Sequence, residues 1–382
     1  MAGIGIKDII TVDGNRQFYI HTGTDPKHQE AISEVFESGK YIYNNSLQYT
    51  IRGFDSKNSL DHIKNVTQNL HENVIDELEV LFTVNEKIKL IRQYLPHYRL
   101  GSIFSERNFY EEAIGNFERC IKLNPDFISA YKRLAIVYLK QNDYIKAEEE
   151  LLKAYQLKPE YPDILNILGV ISTLNKKYKD AKDYFQKALV INPAYKEANY
   201  NFGVVLLLST VNHENEQEQL VIPARIMRSL TSLRDHKYYS DPEWQEAFKN
   251  IFKKIEEGKK SEILKLLMDL QIKIAVKKNF SEKMYYFFLK FMYGGRDLTR
   301  DELDYYEDQV KQDAIKHGEF ADYWNELGII HLVQCRDYFL KSLSEFDKAV
   351  KNNIEYESAK KTLDLLQGNK NGFLILLRAI LR

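Results

Sequence analysis

The chain has 382 residues, of which 44% are hydrophobic and 29% charged, with 54 Lys and Arg against 55 Asp and Glu. That length allows two or three domains with a substantial core, and the near-neutral balance argues against a dedicated nucleic-acid binder. Only 8 Pro and 17 Gly occur, so long stretches are free of helix breakers and a mainly α protein is expected.

The first 57 residues read as a small antiparallel β module. Arg16 to Thr22, Glu30 to Phe36 and Tyr41 to Ile51 are short runs rich in β-branched and aromatic residues, joined by Asp-Pro and Ser-Gly turn pairs. Residues 58–93 read as an amphipathic helical linker. Within it a helix from Leu60 to Phe82 puts Leu60, Ile63, Leu70, Leu78 and Leu81 on one side, to cover the meander or lead into the helices beyond residue 93.

Residues 94–212 carry a period of 34. HYRLGSIF, YKRLAIVY, LNILGVIS and YNFGVVL begin at His97, Tyr131, Leu165 and Tyr200, and their small residues Gly101, Ala135, Gly169 and Gly203 are each 34 apart. Ala113, Ala147 and Ala181 keep the step, as do Phe117, Leu151 and Phe185, then Cys120, Ala154 and Ala188, then Pro125, Pro159 and Pro193. The small residue fits where two antiparallel helices approach closely, and the proline closes each unit because it cannot continue a helix. This pattern resembles the tetratricopeptide repeat family, whose helix-turn-helix unit has this length and these columns. The resemblance covers three full units and the first helix of a fourth, and it implies an α-solenoid that binds proteins or peptides.

Residues 213–320 show helix signals without a period, as diverged repeats or an inserted bundle. After the acidic loop 212–219, helices are expected from Leu220 to Leu233, from Asp241-Pro242 to Gly258, from Ser261 and from Ser281. A capping box at Thr299 and Glu302 opens one more, ending at His317-Gly318. Residues 321–367 read as a degenerate repeat with a cap. Trp324, Leu327 and Gly328 reproduce the opening, and Phe346 and Ala349 the close, with two extra residues in the turn and Ile354 in place of the proline. Tyr356 to Gln367 would then cap the stack through Ala359, Leu363 and Leu366. Residues 368–382 form an apolar tail in which Phe373, Leu374, Leu377, Ile380 and Leu381 gather on one side. It would pack on its own chain, on a second copy, or on a membrane or partner.

No phosphate loop, zinc-binding His-Glu-x-x-His, nucleophile elbow or dinucleotide fingerprint is present, so no catalytic residue, metal or cofactor is assigned. The histidines are scattered, and His97 and His331 read as packing or surface residues. Cys120 and Cys335 stand in no metal or redox spacing, which fits a reducing compartment. MAGIGIKDII lacks the apolar core of a signal peptide, and no run reaches the roughly 20 apolar residues of a spanning helix, so a cytoplasmic location is expected. Met284, Tyr285, Tyr286, Phe287 and Phe288 read as a packing helix rather than a stacking platform. The lysines from Lys249 to Lys260, broken by glutamates, read as a solvated face.

The expected function is a non-enzymatic scaffold or adaptor that binds a partner helix or peptide in the concave groove, which the first helix of each unit lines. The 34-residue step gives the groove residues: Tyr98, Lys132, Asn166 and Tyr200 in one row, Ser102, Ile136, Val170 and Val204 in the next. Too few of them are Lys, Arg or Asn for the carboxylate clamp that some members of the family carry. Three other readings stand beside this one. The same residues would alternatively pack against the chain's own later helices, and the tail would suit a peripheral membrane or envelope-assembly factor. Chemistry housed in the N-terminal module is a third reading.

Overall fold

The computed structural model describes residues 4–49, 56–211, 220–277, 282–295, 298–317, 321–352 and 357–381, with the side chains of 56–59, 313, 316–317, 321–323, 352, 358, 370 and 373–381 left out. Two compact units result, residues 1–289 and 290–382.

The first unit opens with a four-stranded antiparallel meander in chain order, β1 (Gly5–Val12), β2 (Arg16–Asp25), β3 (Glu30–Glu37) and β4 (Lys40–Gln48). β1 is a strand beyond the three expected. It alternates only weakly, since Val12 alone of its residues is buried, while the Asp13-Gly14 pair after it is a hairpin signal. Ile51 lies outside the described residues. The alternation of β2 and β3 sends Phe18, Ile20, Thr22, Ala31, Ser33 and Val35 inward. There α1 (Ser56–Ile88) lies across all four strands, presenting Ile63, Leu70, Val74, Leu78 and Leu81, while Leu60 stays 39% exposed.

The sheet and α1 continue into the helical stack instead of forming a separate module and linker. Phe18, Phe82, Phe104 and Phe109 join strand, helix and first repeat with ring centroids 5.4 to 5.9 Å apart. Asn108 Nδ2 also donates to the Ile42 carbonyl at 2.8 Å. This covers the solenoid end that would otherwise expose core.

The repeats form helix pairs α2 (Tyr94–Glu106) with α3 (Tyr110–Leu123), α4 (Ile128–Lys140) with α5 (Tyr144–Leu157), and α6 (Pro162–Leu174) with α7 (Tyr178–Ile191). Each pair turns through one left-handed residue in a shared column: Asn108, Asn142 and Lys176, with φ of 61°, 60° and 59°. A Cβ on Gly101 would lie 3.1 Å from the Phe117 ring, and one on Gly169 only 2.5 Å from Phe185. Where the second unit carries Ala135, its column partner is the slimmer Leu151, so the close approach is kept by trading volume across the pair. The fourth unit does have a second helix. α8 (Lys196–Leu208) pairs with α9 (Ala224–Arg234), and a Cβ on Gly203 would meet Ile226 at 3.1 Å, at a position delayed by the greater number of residues between them.

α10 (Pro242–Glu257) ends at Gly258 with φ 73°, as its sequence indicates, and α11 (Lys260–Ala275) comes next. On their lysine-rich stretch Lys254 bridges Glu257 and Glu262, both at 2.8 Å, although Lys260 is buried. α12 (Glu282–Tyr293) spans the boundary between the units, which cuts the expected 213–320 segment; Ser281 lies outside the described residues.

The second unit holds α13 (Arg300–His317), α14 (Ala321–Asn352) and α15 (Glu357–Leu381). The capping box is reciprocal: Thr299 N donates to Glu302 Oε2 at 2.7 Å and Glu302 N to Thr299 Oγ1 at 3.2 Å. The degenerate repeat is a correction, because residues 321–352 form one continuous helix with no turn. Likewise α15 runs unbroken through Gly368 and Asn371, so 368–382 is not a separate tail. Ala359 and Leu363 are buried; the side chains of 373–382 lie outside the described residues. Among the described residues no helix is long and apolar enough to cross a membrane.

Candidate groove of the repeat array

The inner helices α2, α4, α6 and α8 carry the eight expected groove residues, and six of these are buried: Ser102, Ile136, Asn166, Val170, Tyr200 and Val204. At the far end the cover is α11, which packs on α6 and α8. Tyr200 and Val204 share one core with Ile263, Leu267, Leu270 and Ile274. The Tyr200 hydroxyl donates to the Leu267 carbonyl at 2.8 Å, and Gln271 Nε2 to the Asn201 carbonyl at 3.2 Å. Asn201 Nδ2 in turn donates to Asn166 Oδ1 at 2.9 Å, so the polar residue of the expected row is satisfied inside the chain. The ion pair of Lys277 with Glu197, at 2.9 Å, ties the chain beyond α11 back to α8. Burial would raise the Glu197 pKa, but the Lys277 ammonium and the Tyr239 hydroxyl outweigh it and hold the carboxyl below its usual value.

At the near end the residues of α12 take the same place. Tyr285 lies 6.0 Å from the Tyr98 ring, and the Arg99 guanidinium sits 4.4 Å over Phe288. Met284, Phe287, Phe288 and Leu289 are buried, which makes this aromatic run a packing helix. Arg107 is held between Glu77 of α1, at 2.7 Å, and Glu282 of α12. Burial alone would lower the Arg107 pKa, but the two carboxylates outweigh it and keep the guanidinium well above its ordinary value. The floor is therefore used for the chain's own packing, the second of the two uses its residues allow. Sequence periodicity locates the floor but not its cover, because α11 and α12 share no period with the repeats.

Tyr98 and Lys132 alone of the eight keep partial exposure, and both stand at the rim. Tyr98 packs against Phe127 at 5.0 Å and Tyr94 against the same ring at 4.9 Å. Lys132 Nζ reaches Asp163 Oδ2 at 3.1 Å and lies 5.8 Å over Tyr161. Phe127, Tyr161 and Tyr195 form a column 34 residues apart, each directly before an inner helix and each half-buried. The same 34-residue step runs through this column, five residues before the row of Lys132, Asn166 and Tyr200. Such a rim offers flat aromatic faces flanked by both signs of charge, suited to gripping apolar side chains of a peptide.

Elsewhere, Asp8, His71, Thr22 and Ser33 form a carboxylate-imidazole-hydroxyl chain, with His71 Nε2 2.8 Å from Asp8 and Nδ1 2.7 Å from Thr22. Both hydroxyls are fully buried beneath the sheet, out of reach of any substrate. Burial pushes the Cys120 thiol up to about 12, which suits a core residue and not a nucleophile. His97 is buried beside Asn116, whereas His331 does have an acidic neighbour, Glu307 at 3.4 Å.

Comparison with known proteins agrees with the repeat columns. The tetratricopeptide repeat family model matches residues 98–163 and 133–196. Among solved structures, YrrB, described as a TPR protein with an unusual peptide-binding site, is 21% identical. That match covers 52% of this chain and 100% of YrrB, with a TM-score of 0.33. PilF of Pseudomonas aeruginosa is 18% identical over 60% of this chain and 88% of its own, TM-score 0.32. A tetratricopeptide repeat protein from Parabacteroides merdae is 13% identical over 72% and 98%, TM-score 0.30. No curated protein matches the chain. At such scores the solved structures carry no argument about overall shape, and the assignment rests on the columns, the helix pairs and the family model. On those grounds residues 98–196 of the chain form an array of tetratricopeptide repeats.

Proposed function

We propose that the chain is a non-enzymatic interaction scaffold, acting in the cytoplasm as an adaptor, whose partner docks at the rim of the groove and not along its floor. Tetratricopeptide arrays are protein- and peptide-binding folds, and the rim is where this one keeps half-exposed anchors. The observation that carries the reading is the division of the expected row, in which Asn166 and Tyr200 are buried while Tyr98 and Lys132 are not. The partner that fits is an extended peptide or helix end. Its apolar side chains would lie against Tyr98, Phe127 and Tyr161, and a charged group would exchange with the Lys132–Asp163 pair.

The test uses the intact chain with a photo-crosslinking residue in place of Lys132, and a control at Val190 on the outer surface. Protein adducts from native extract that form at residue 132 and disappear on Tyr98→Ala support the rim. Adducts at 190 but none at 132 move binding to another surface.

A further inference from the structure

The meander has a second face, turned away from α1, and it carries an apolar row that nothing among the described residues covers. Backbone register aligns Ile9 with Tyr19, Tyr19 with Phe36 and Phe36 with Tyr41, so four strands contribute one residue each to a continuous stripe. Ring centroids along it are 6.0 and 5.8 Å apart, and Ile9 and Tyr41 remain 67% and 47% exposed. The extra residue at the bulge between Val35 and Phe36 brings Tyr41 into line. Beside the stripe runs a polar row in which Lys7 aligns with His21 and His21 with Glu34, the last two 3.4 Å apart. One half of that row is basic and the other acidic.

We infer that this face is a homodimer interface, in which two copies pack sheet against sheet about a two-fold axis parallel to the strands. A second copy fits this face in symmetry, in packing angle and in area. Such an axis reverses the strand order while keeping the rows level, so Tyr19 meets the partner's Phe36, Phe36 meets the partner's Tyr19, and each His21 faces the partner's Glu34. The charge pattern thus complements itself, whereas a nucleic acid would meet Glu34 with repulsion. Aligned packing within about 30° is also the ordinary way for two twisted sheets to stack. The area is sufficient but small. Four strands at about 4.8 Å spacing and about 27 Å length give roughly 500 Å² per copy, hence roughly 1,000 Å² in total, near the lower limit for a specific interface. The dimer is therefore weak and concentration-dependent.

Sedimentation velocity of the 382-residue chain between about 1 and 200 µM, a range suited to a weak dimer, tests this. The wild type should shift from monomer to dimer, and Tyr19→Lys with Phe36→Lys should remain monomeric with an unchanged melting temperature. Because the substituted side chains face solvent, loss of folding is not expected, and a charge exchange gives a second readout. Glu34→Lys alone removes the carboxylate that faces the partner's His21, and His21→Glu alone sets two carboxylates opposite one another, so each should weaken self-association at least tenfold. Mixing the two variants should restore a dimer containing one of each. A wild type that is monomeric throughout overturns the inference, as does a dimer that survives Tyr19→Lys with Phe36→Lys. Failure of the mixture to associate overturns the two-fold arrangement.

Discussion

Residues 94–208 and residues 321–352 share the same opening signature, Leu-Gly after an aromatic, yet the first region folds into helix pairs and the second into one rod. A Cβ at Gly169 would collide with Phe185, whereas at Gly328 it would meet nothing within 4 Å. The difference lies in the turn. Each true unit has an asparagine between its small residue and its closing aromatic or leucine, and a left-handed residue there reverses the chain. Between Gly328 and Phe346 there is no Asn, Gly or Pro, so nothing stops the helix. A repeat is specified by a close approach together with the breaker that lets the approach happen.

The largest expected effect separates the two ends of the groove row. Tyr200→Ala removes a fully buried ring and its hydrogen bond to Leu267, and should cost about 3 to 5 kcal/mol in urea unfolding. Tyr98→Ala, at the rim, should cost markedly less while weakening partner capture. Comparable losses at both positions would erase the distinction between floor and rim.

Next in size is the glycine column itself. Gly169→Leu should destabilise the first unit by about 1 to 3 kcal/mol or more through overpacking against Phe185. Gly328→Ala, in an open helical position, should stabilise the second unit by about 0.5 to 1 kcal/mol. Opposite signs in thermal melts support the contrast; a loss at Gly328 would place a close neighbour there.

The turn column gives a smaller effect of favourable sign. Lys176 is held at φ 59°, and Lys176→Gly should relieve about 1 kcal/mol of backbone strain. A destabilised variant would show that the lysine side chain contributes more than its backbone costs.

Much of this architecture was legible in the residues. The 34-residue step located the three helix pairs and α8, the Asp241-Pro242 and Gly258 signals bracketed α10, and the Thr299 box opened α13. What the residues could not show is tertiary. β1 lacks a clean alternation because Asp8 falls on the inner side of the strand, among Ile6, Ile10 and Val12, while Ile9 is on the outer side. The filling of the groove was missed because α11 is recognisable only as an amphipathic helix, and the contact of Tyr200 with Leu267 joins segments 67 residues apart. The eight residues of the groove rows lie on the inner helices α2, α4, α6 and α8. Their role turned on a neighbour that carries no periodic signal.

The smallest predicted effect is a pH dependence at the α8 end. The Glu197 carboxyl is held below its ordinary value in the folded chain, so its contribution is complete above that value of 4.5 and is lost as pH falls through the lowered one. Lys277→Met removes the charge that opposes burial, and should raise the Glu197 titration and move acid unfolding to higher pH. An unshifted acid transition would show that the ion pair adds nothing to the closure.

The groove floor belongs to the chain's own core, and thiol accessibility is a sensitive test of that burial. With the exposed Cys335 replaced by Ser and the buried Cys120 retained, a cysteine probe is introduced by Val204→Cys on the floor, or by Ile145→Cys on the outer surface as reference. Position 204 should react with a maleimide only at the rate of global unfolding, while position 145 reacts at once. Equal labelling rates in the native state would mean that α11 does not cover the floor, and the groove would be open to a partner after all.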